Sequence, residues 1–566
     1  MNSSRRAFNA ALLASGFVPL ASFSNRSLAA TPVAGGTLRV AWSSEPTDFV
    51  PLNTSSGSTQ FVGAKLFDGL LSYDAQLRPL PNLAESWKLA ADGLSLSFTL
   101  RKDVKFSDGT PLTSADVAFS ILRLKEVHPR GQTTFAAVTA VETPDARTAV
   151  IRLSRPVPYL ILALTAAESP IVPKHIYETL KKGERVPADK IVSSGPFRIA
   201  EWRVGSHILL QRNPDYWNAG QPRLDRIVIR FISDPAARVA AFEAGDIDLL
   251  PEDLVPISDI ARVSAQPGVR IDPGPYAYYG SIQQGLSFNL EREVLKDVRV
   301  RRAIAHALNV DEIIRKIYHG QAVASPTAIT VYNQAFFDAS LKPYAYDPAL
   351  ANRLLDEAGL PRGADGTRFK IRLTWNTEGA IPPTTPILYR QALAAVGISA
   401  EIQTSDFAAF TKRIYTDRDW DLAIDRYGST FDPTVGTQRF YHSRSFKVGV
   451  PFTNPARYEN PEADALWDAA AIEVNPQKRR EIFSKLQAVL LRDIPSCPRW
   501  WPRATSPRAP RCRAMRPLRP EASTALPKPG WRPESWRTST SSPPRRCAPG
   551  MGLSLIHISE PTRQEA

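Results

Sequence analysis

Side chains able to do chemistry are thinly spread along this chain. The histidines of its body stand at positions 128, 175, 207, 306, 319 and 442, with no metal-ligand spacing among them. Cys497, Cys512 and Cys547 all fall late, so a zinc–thiolate site cannot form in the residues before them. Asp103 with Asp108, and Asp417 with Asp419 and Asp421, are carboxylate clusters in turn-like or strand-flanking contexts and read as solvated faces. There is no Gly-Lys-Ser/Thr phosphate loop, no Gly-x-Ser-x-Gly elbow and no His-Glu-x-x-His pair. The expectation is therefore no catalytic residue, no metal and no cofactor, with the weight moved towards binding.

The elements that must position any binding groups alternate between strand and helix. Thr37–Trp42 alternates as a strand, and Ser95–Leu100 pairs back on Trp87–Leu89 after an Asp92-Gly93 turn. Thr113-Ser114-Ala115-Asp116 opens a helix as a capping box. Phe197–Trp202 and His207–Arg212 flank Val204-Gly205-Ser206 as a second hairpin. Residues 226–250 read as strand, helix and strand: Asp234-Pro235 starts the helix, Gly245 ends it, and Asp246–Leu250 is the second strand. From Leu286 the pattern repeats, with helices at Val298–Leu308, after Asn309 and after Asp347, then strands at Phe369–Trp375, Ile398–Gln403 and Trp420–Tyr427. Two α/β lobes with a β-rich insertion are expected.

Charge first suggests a nucleic-acid partner, since the 566 residues carry a net +14. Its location removes that reading. Residues 1–30 hold Arg5, Arg6 and Arg26 and no acid, and residues 496–566 carry a net +9, which leaves +2 on the remainder. The N-terminal stretch pairs Arg5-Arg6 with a short apolar run and Ser27-Leu28-Ala29, an export signal similar to the twin-arginine type. Beyond Pro495 hydrophobic periodicity stops, and twelve prolines appear by Gly550. That composition is what a GC-rich gene yields in a wrong frame, and Leu553–Ile558 resembles translated sequencing adapter. Residues 496–566 are expected to be unstructured and without function.

Several segments in order carry a family resemblance. They are Gly36–Val40, Leu66-Phe67-Asp68-Gly69-Leu70, Pro81–Trp87, Phe106–Val117, Ser194-Gly195-Pro196-Phe197, Asn213-Pro214-Asp215-Tyr216-Trp217 and Val298–Ile304. Over residues 36 to about 495 the chain resembles the family 5 extracellular solute-binding proteins, the dipeptide, oligopeptide and nickel receptors of ATP-binding-cassette importers. The resemblance implies a two-lobed α/β clamshell with a further β-rich α+β domain inserted in lobe I. It implies a periplasmic monomer that hands a small solute to an inner-membrane permease. The expected division is signal 1–29, lobe I 30–60 and 191–275, inserted domain 61–190, lobe II 276–480, and a return towards lobe I at 481–495.

In that family the loop after the first strand and a Trp/Tyr-Gly…Asp-Pro loop of lobe II face the cleft. Here these hold Trp42 and Glu45, and Tyr427, Ser429, Phe431 and Asp432; Trp375 stands at the end of a lobe II strand. Peptide receptors often place an aspartate a few residues before the Asp-Pro, where this chain has Ser429-Thr430. Asp432 then becomes either the counter-charge for an amine or the cap of a helix with Pro433 at its first turn. Glu45 is either a second counter-charge or a solvated turn acid. Trp42, Tyr427 and Phe431 are either cleft walls or core. The leading ligand is a peptide or amine-bearing solute, against an opine, a glycoside or a nickel chelate; a secreted hydrolase is the rival of another class.

Overall fold

The computed structural model describes residues 34–54, 56–74, 77–181, 183–251, 254–272, 282–331, 333–377, 381–428, 431–502 and 506–508. The export signal at 1–29 and Ser429 lie outside the described residues.

The first lobe is built on a four-stranded sheet. Thr37–Trp42 lies parallel to Arg226–Phe231, which pairs antiparallel with His207–Arg212 and through it with Phe197–Arg203. Successive side chains of the first strand point to opposite faces, so Val40 and Trp42 enter one core while Ala41 enters another with Val239, Phe242 and Ile247. A small residue at 41 fits because the helix Pro235–Glu243 covers that face. The helix begins as its sequence demands: Asp234 accepts the amide of Ala237, and proline occupies the first turn. Asp246–Leu250, expected as a strand, makes one isolated bridge, Val40 to Leu249. The stretch is too short to ladder along the edge before Pro251 ends it.

Between these strands sits the inserted region. Its sheet runs in the order Ala84–Leu89, Ser95–Leu100, Thr148–Leu153, Val138–Asp145. The helix Ser114–Val127 packs on it, started by the Thr113 and Asp116 capping box. Phe98, Ile121 and Ile151 of the insertion share one apolar cluster with Ile208, Leu210, Ile227 and Ile229 of the first lobe. The insertion and the first lobe are thus one continuous core.

The second lobe carries a six-stranded mixed sheet. Its order is Ala322–Ser325, Ser496–Pro502, Ile282–Phe288, Leu422–Gly428, Phe369–Asn376, Ile398–Ser405. One face buries Leu286, Phe288, Leu373, Trp375 and Ile424 with the helices Val298–Ala307 and Thr384–Ala395. The opposite face meets Phe440, Trp467 and Phe483, on or beside the helices Pro461–Ile472 and Pro476–Asp493.

Two expectations about the end of the chain are overturned, the second of them for residues 496–502 and 506–508 alone, since 503–505 and 509–566 lie outside the described residues. Residues 481–493 finish the helix Pro476–Asp493 of the second lobe and do not return to the first. Ser496–Pro502 is a strand inside the second sheet, hydrogen-bonded on both edges. Its two prolines concealed it. Pro498, which has no amide to donate, falls where the register against Ile282–Phe288 slips between Gly285 and Ser287. Trp500 is fully buried, its ring 5.7 Å from that of Tyr318 and 6.3 Å from that of Tyr389. Ser506–Arg508 adds a short pairing with Arg270–Asp272.

Candidate functional site

Most of the motifs that carry the resemblance turn out to serve the fold. Asp68 is buried, and its carboxylate accepts from the Tyr216 hydroxyl at 3.1 Å, the Trp217 indole at 2.9 Å and the Asn82 amide at 3.3 Å. Its own amide donates to the Ser194 hydroxyl. A Cβ at Gly195 would lie 2.4 Å from the backbone of Leu66, so only glycine permits that approach. Four separate motifs therefore meet around one aspartate. Burial pushes its carboxyl up to about 6, against the pull of these donors.

The residues expected to face a ligand divide into three groups. Trp42 and Phe431 are brought together in one apolar cluster, although they come from different lobes. Trp42 stacks on Phe61 with centroids 4.1 Å apart and donates its indole N–H to Ser58. Trp375 and Tyr427 are kept apart. Trp375 pairs with Ile424 in register, and Tyr427, three residues further on, points through the other face of the sheet. Tyr427 stacks on Phe440 at 4.1 Å. The Trp375 indole N–H is buried and has no acceptor among the described residues.

Of the two alternatives open for each candidate counter-charge, the structure shows both carboxylates already engaged within the protein. Asp432 is fully buried and forms a bidentate pair with Arg479, at 2.7 and 2.9 Å. It also accepts the amide and hydroxyl of Thr434, so it caps a turn. Glu45 accepts the Trp202 indole at 2.5 Å and the Gly205 amide at 3.0 Å, and so fastens the hairpin turn of the first lobe. A buried carboxylate paired this way gives little to a ligand cation without exposing an uncompensated arginine.

A partly buried cation also stands without a paired acid among the described residues, and the sequence reading missed it. Arg439 lies in the short turn of helix Gln438–Phe440, seven residues after Asp432. Among the described residues its guanidinium donates no hydrogen bond and forms no ion pair, and its Nε is buried. It sits over the Phe440 ring at 4.7 Å. Burial pulls its pKa down; the phenols of Tyr415 and Tyr427 oppose that pull, and Arg130 adds to it. Arg130 belongs to the inserted region, beside the helix Ser114–Val127. Its Nη2 pairs with Glu168 at 2.6 Å, and its Nε is likewise buried without a partner. Glu168 also accepts from Gln60 at 3.0 Å. No sequence signal marks Arg130 or Arg439, because arginines are common in this chain, and a buried Nε without a partner recurs at Arg198 and Arg302.

The comparisons with known proteins agree with this architecture. The family description "Bacterial extracellular solute-binding proteins, family 5 Middle" matches residues 78–447. A putative ABC transporter peptide-binding protein of Brucella ovis is 28% identical over 477 residues, 80% of this chain and 85% of that protein. The structure of the binding protein AgaA from A. tumefaciens R10, in complex with agropinic acid, superposes with a TM-score of 0.65. It is 27% identical and covers 84% of this chain and 93% of that one. The ABC transporter substrate-binding protein CtaP of Listeria monocytogenes gives a TM-score of 0.73 at 24% identity, over 84% of this chain and 94% of its own.

Proposed function

Because the chain belongs to the bacterial extracellular solute-binding proteins, family 5, we propose that it captures a small peptide or peptide-like solute between its lobes and delivers it to an ABC permease. The observation that carries this reading is the crossing at residues 431–435. Phe431 and Val435 leave the end of a lobe II strand and pack into the core of the first lobe. A segment shared in this way lets the two lobes meet around a solute. Binding then shifts the population towards the closed form, to the extent that contacts are better there. On this reading the Trp42–Phe61 and Tyr427–Phe440 stacks, whose Trp42, Tyr427 and Phe440 rings are buried in this structure, line a largely apolar pocket when the lobes part. The reading is binding without turnover, by a monomer exported across the inner membrane by the twin-arginine route. The Brucella relative is named for peptides, which supports the peptide class.

A second reading is a non-peptide solute of the opine kind. The engagement of both Glu45 and Asp432 favours it, since neither is left to meet an α-ammonium. A thermal-shift screen separates the two. A ligand at 100 times its Kd adds about 2.7 kcal/mol of stability to the form that binds it. Peptides of two to five residues are expected to raise the melting temperature. Stabilisation by opines or glycosides with no response to any peptide would replace the first reading by the second.

A further inference from the structure

In the hairpin turn between the inserted strands Ala84–Leu89 and Ser95–Leu100, Asp92 and Leu94 are exposed while Gly93 between them is buried. Two segments cover it. A Cβ built on Gly93 would lie 3.2 Å from Cβ of Pro156 and 3.3 Å from Cγ1 of Val474. Pro156 belongs to the inserted region itself, in the loop after Thr148–Leu153. Val474 belongs to lobe II, in the link between the helices Pro461–Ile472 and Pro476–Asp493. The inserted region and lobe II therefore touch here, so closely that even a methyl group at 93 would crowd both. The contact is shallow. Leu94, Ile472 and Val474 stay 38%, 47% and 40% exposed, and none of them enters an apolar cluster of either body. Its two sides are packed separately, since the insertion shares its core with the first lobe and lobe II has cores of its own. A thin apolar contact between two such bodies can part without breaching either core.

We propose that the Gly93 turn and Pro156 form, with Val474, a clasp between the inserted region and lobe II that shuts when the lobes close and parts when they open. The inference rests on the two-lobed receptor reading above and adds a task for the inserted region. The clasp stabilises the closed form without touching the solute. It thereby sets the ratio of closed to open forms in the free protein, and through that ratio the apparent affinity for whatever solute is bound. Gly93 is needed for the seat, because its missing side chain lets Val474 come down on the turn, and its φ of +69° is one that glycine adopts freely.

The test uses the full chain and begins without ligand. Val474→Asp sets a carboxylate against Pro156 and the turn, where closing the clasp would strip it of water. The variant is expected to keep the parent's circular dichroism, because residue 474 is exposed, and to show a larger radius of gyration by small-angle scattering. A radius equal to the parent's overturns the proposal. So does a larger radius accompanied by loss of helical signal, which would mean local unfolding. The second variant joins Gly93→Cys to Val474→Cys, whose side chains come within disulfide reach. With tri-alanine as the probe, the oxidised pair is expected to associate about tenfold or more slowly than the same protein after reduction, since a locked cleft admits no solute. A pair that oxidises and still binds at the reduced rate overturns the proposal, because the contact then stays made while solute enters. If the double variant does not fold, the scattering of Val474→Asp decides alone. Failure of the parent to bind any peptide would end the peptide reading and leave the scattering comparison to decide this one. Normal peptide binding with an unchanged radius in Val474→Asp would end the clasp and leave the receptor reading standing.

Discussion

At the scale of single residues, two buried titratable groups of the inserted region set opposing pH dependences. Burial raises the Asp68 carboxyl to about 6 and lowers the buried His128 imidazole to about 4, the latter with help from Arg130. Between pH 4 and 6 the folded chain holds a proton on Asp68 that the unfolded chain has released, so this group's stabilisation is lost as pH rises. His128 works in the other direction. The unfolded chain takes up a proton below about 6.5 that the folded chain refuses, so stability is lost as pH falls from there through 4. Each effect is worth about 3 kcal/mol, and the two nearly offset. Asp68→Asn should therefore become acid-labile below pH 6. His128→Asn should melt at progressively lower temperature as pH rises from 4 to 6. Melting curves at half-unit steps check both, and variants whose profile has the same shape as the parent's would refute the assignment.

At the scale of elements, the strand Ser496–Pro502 holds two others in place. It lies between Ala322–Ser325 and Ile282–Phe288, so removing it leaves the first unpaired and uncovers Trp500's pocket beside Tyr318 and Tyr389. Trp500→Ala should cost about 3–5 kcal/mol in urea unfolding, as full truncation of a buried aromatic does. A chain ended after Pro495 should lose more, because a row of ladder hydrogen bonds goes with the side chain. Equal stability of that truncated chain and the parent would show the strand to be dispensable. The helices illustrate the opposite case, in which the sequence alone announces the element. Asp234, Asn309, Asp347 and Asp406 each accept a backbone amide at a helix start, where their spacing to the following residues predicts it.

At the scale of the whole molecule, the segment after the strand Leu422–Gly428 ties one lobe to the other. Phe431 is 2% exposed and sits in the core of the first lobe. Asp432, next to it, is anchored to Arg479 on a lobe II helix. Phe431→Ala should loosen this tie more than it harms either lobe. The expected result is a larger radius of gyration for the ligand-free protein by small-angle scattering, and weaker ligand binding. A lowered melting temperature with an unchanged radius would make Phe431 ordinary core instead.

What the sequence by itself determined is whatever depends on neighbours along the chain. Turns, caps and alternating strands are local, so Thr37–Trp42, the two hairpins and the capped helices were legible, and so was the family through its ordered motifs. The location of the +14 charge was legible for the same reason, as simple counting along the chain. What only the tertiary structure decided is which charges find partners. Asp432 and Arg479 are 47 residues apart, Glu45 and Trp202 157, and nothing in either neighbourhood announces the pairing. The same holds for Arg439, which has no such partner among the described residues. Burial and compensation are properties of the space around a side chain, and that space is filled by segments remote in sequence. The strand at Ser496–Pro502 was hidden likewise: its local composition argues against a strand, and only a bulge and two waiting neighbours make one possible.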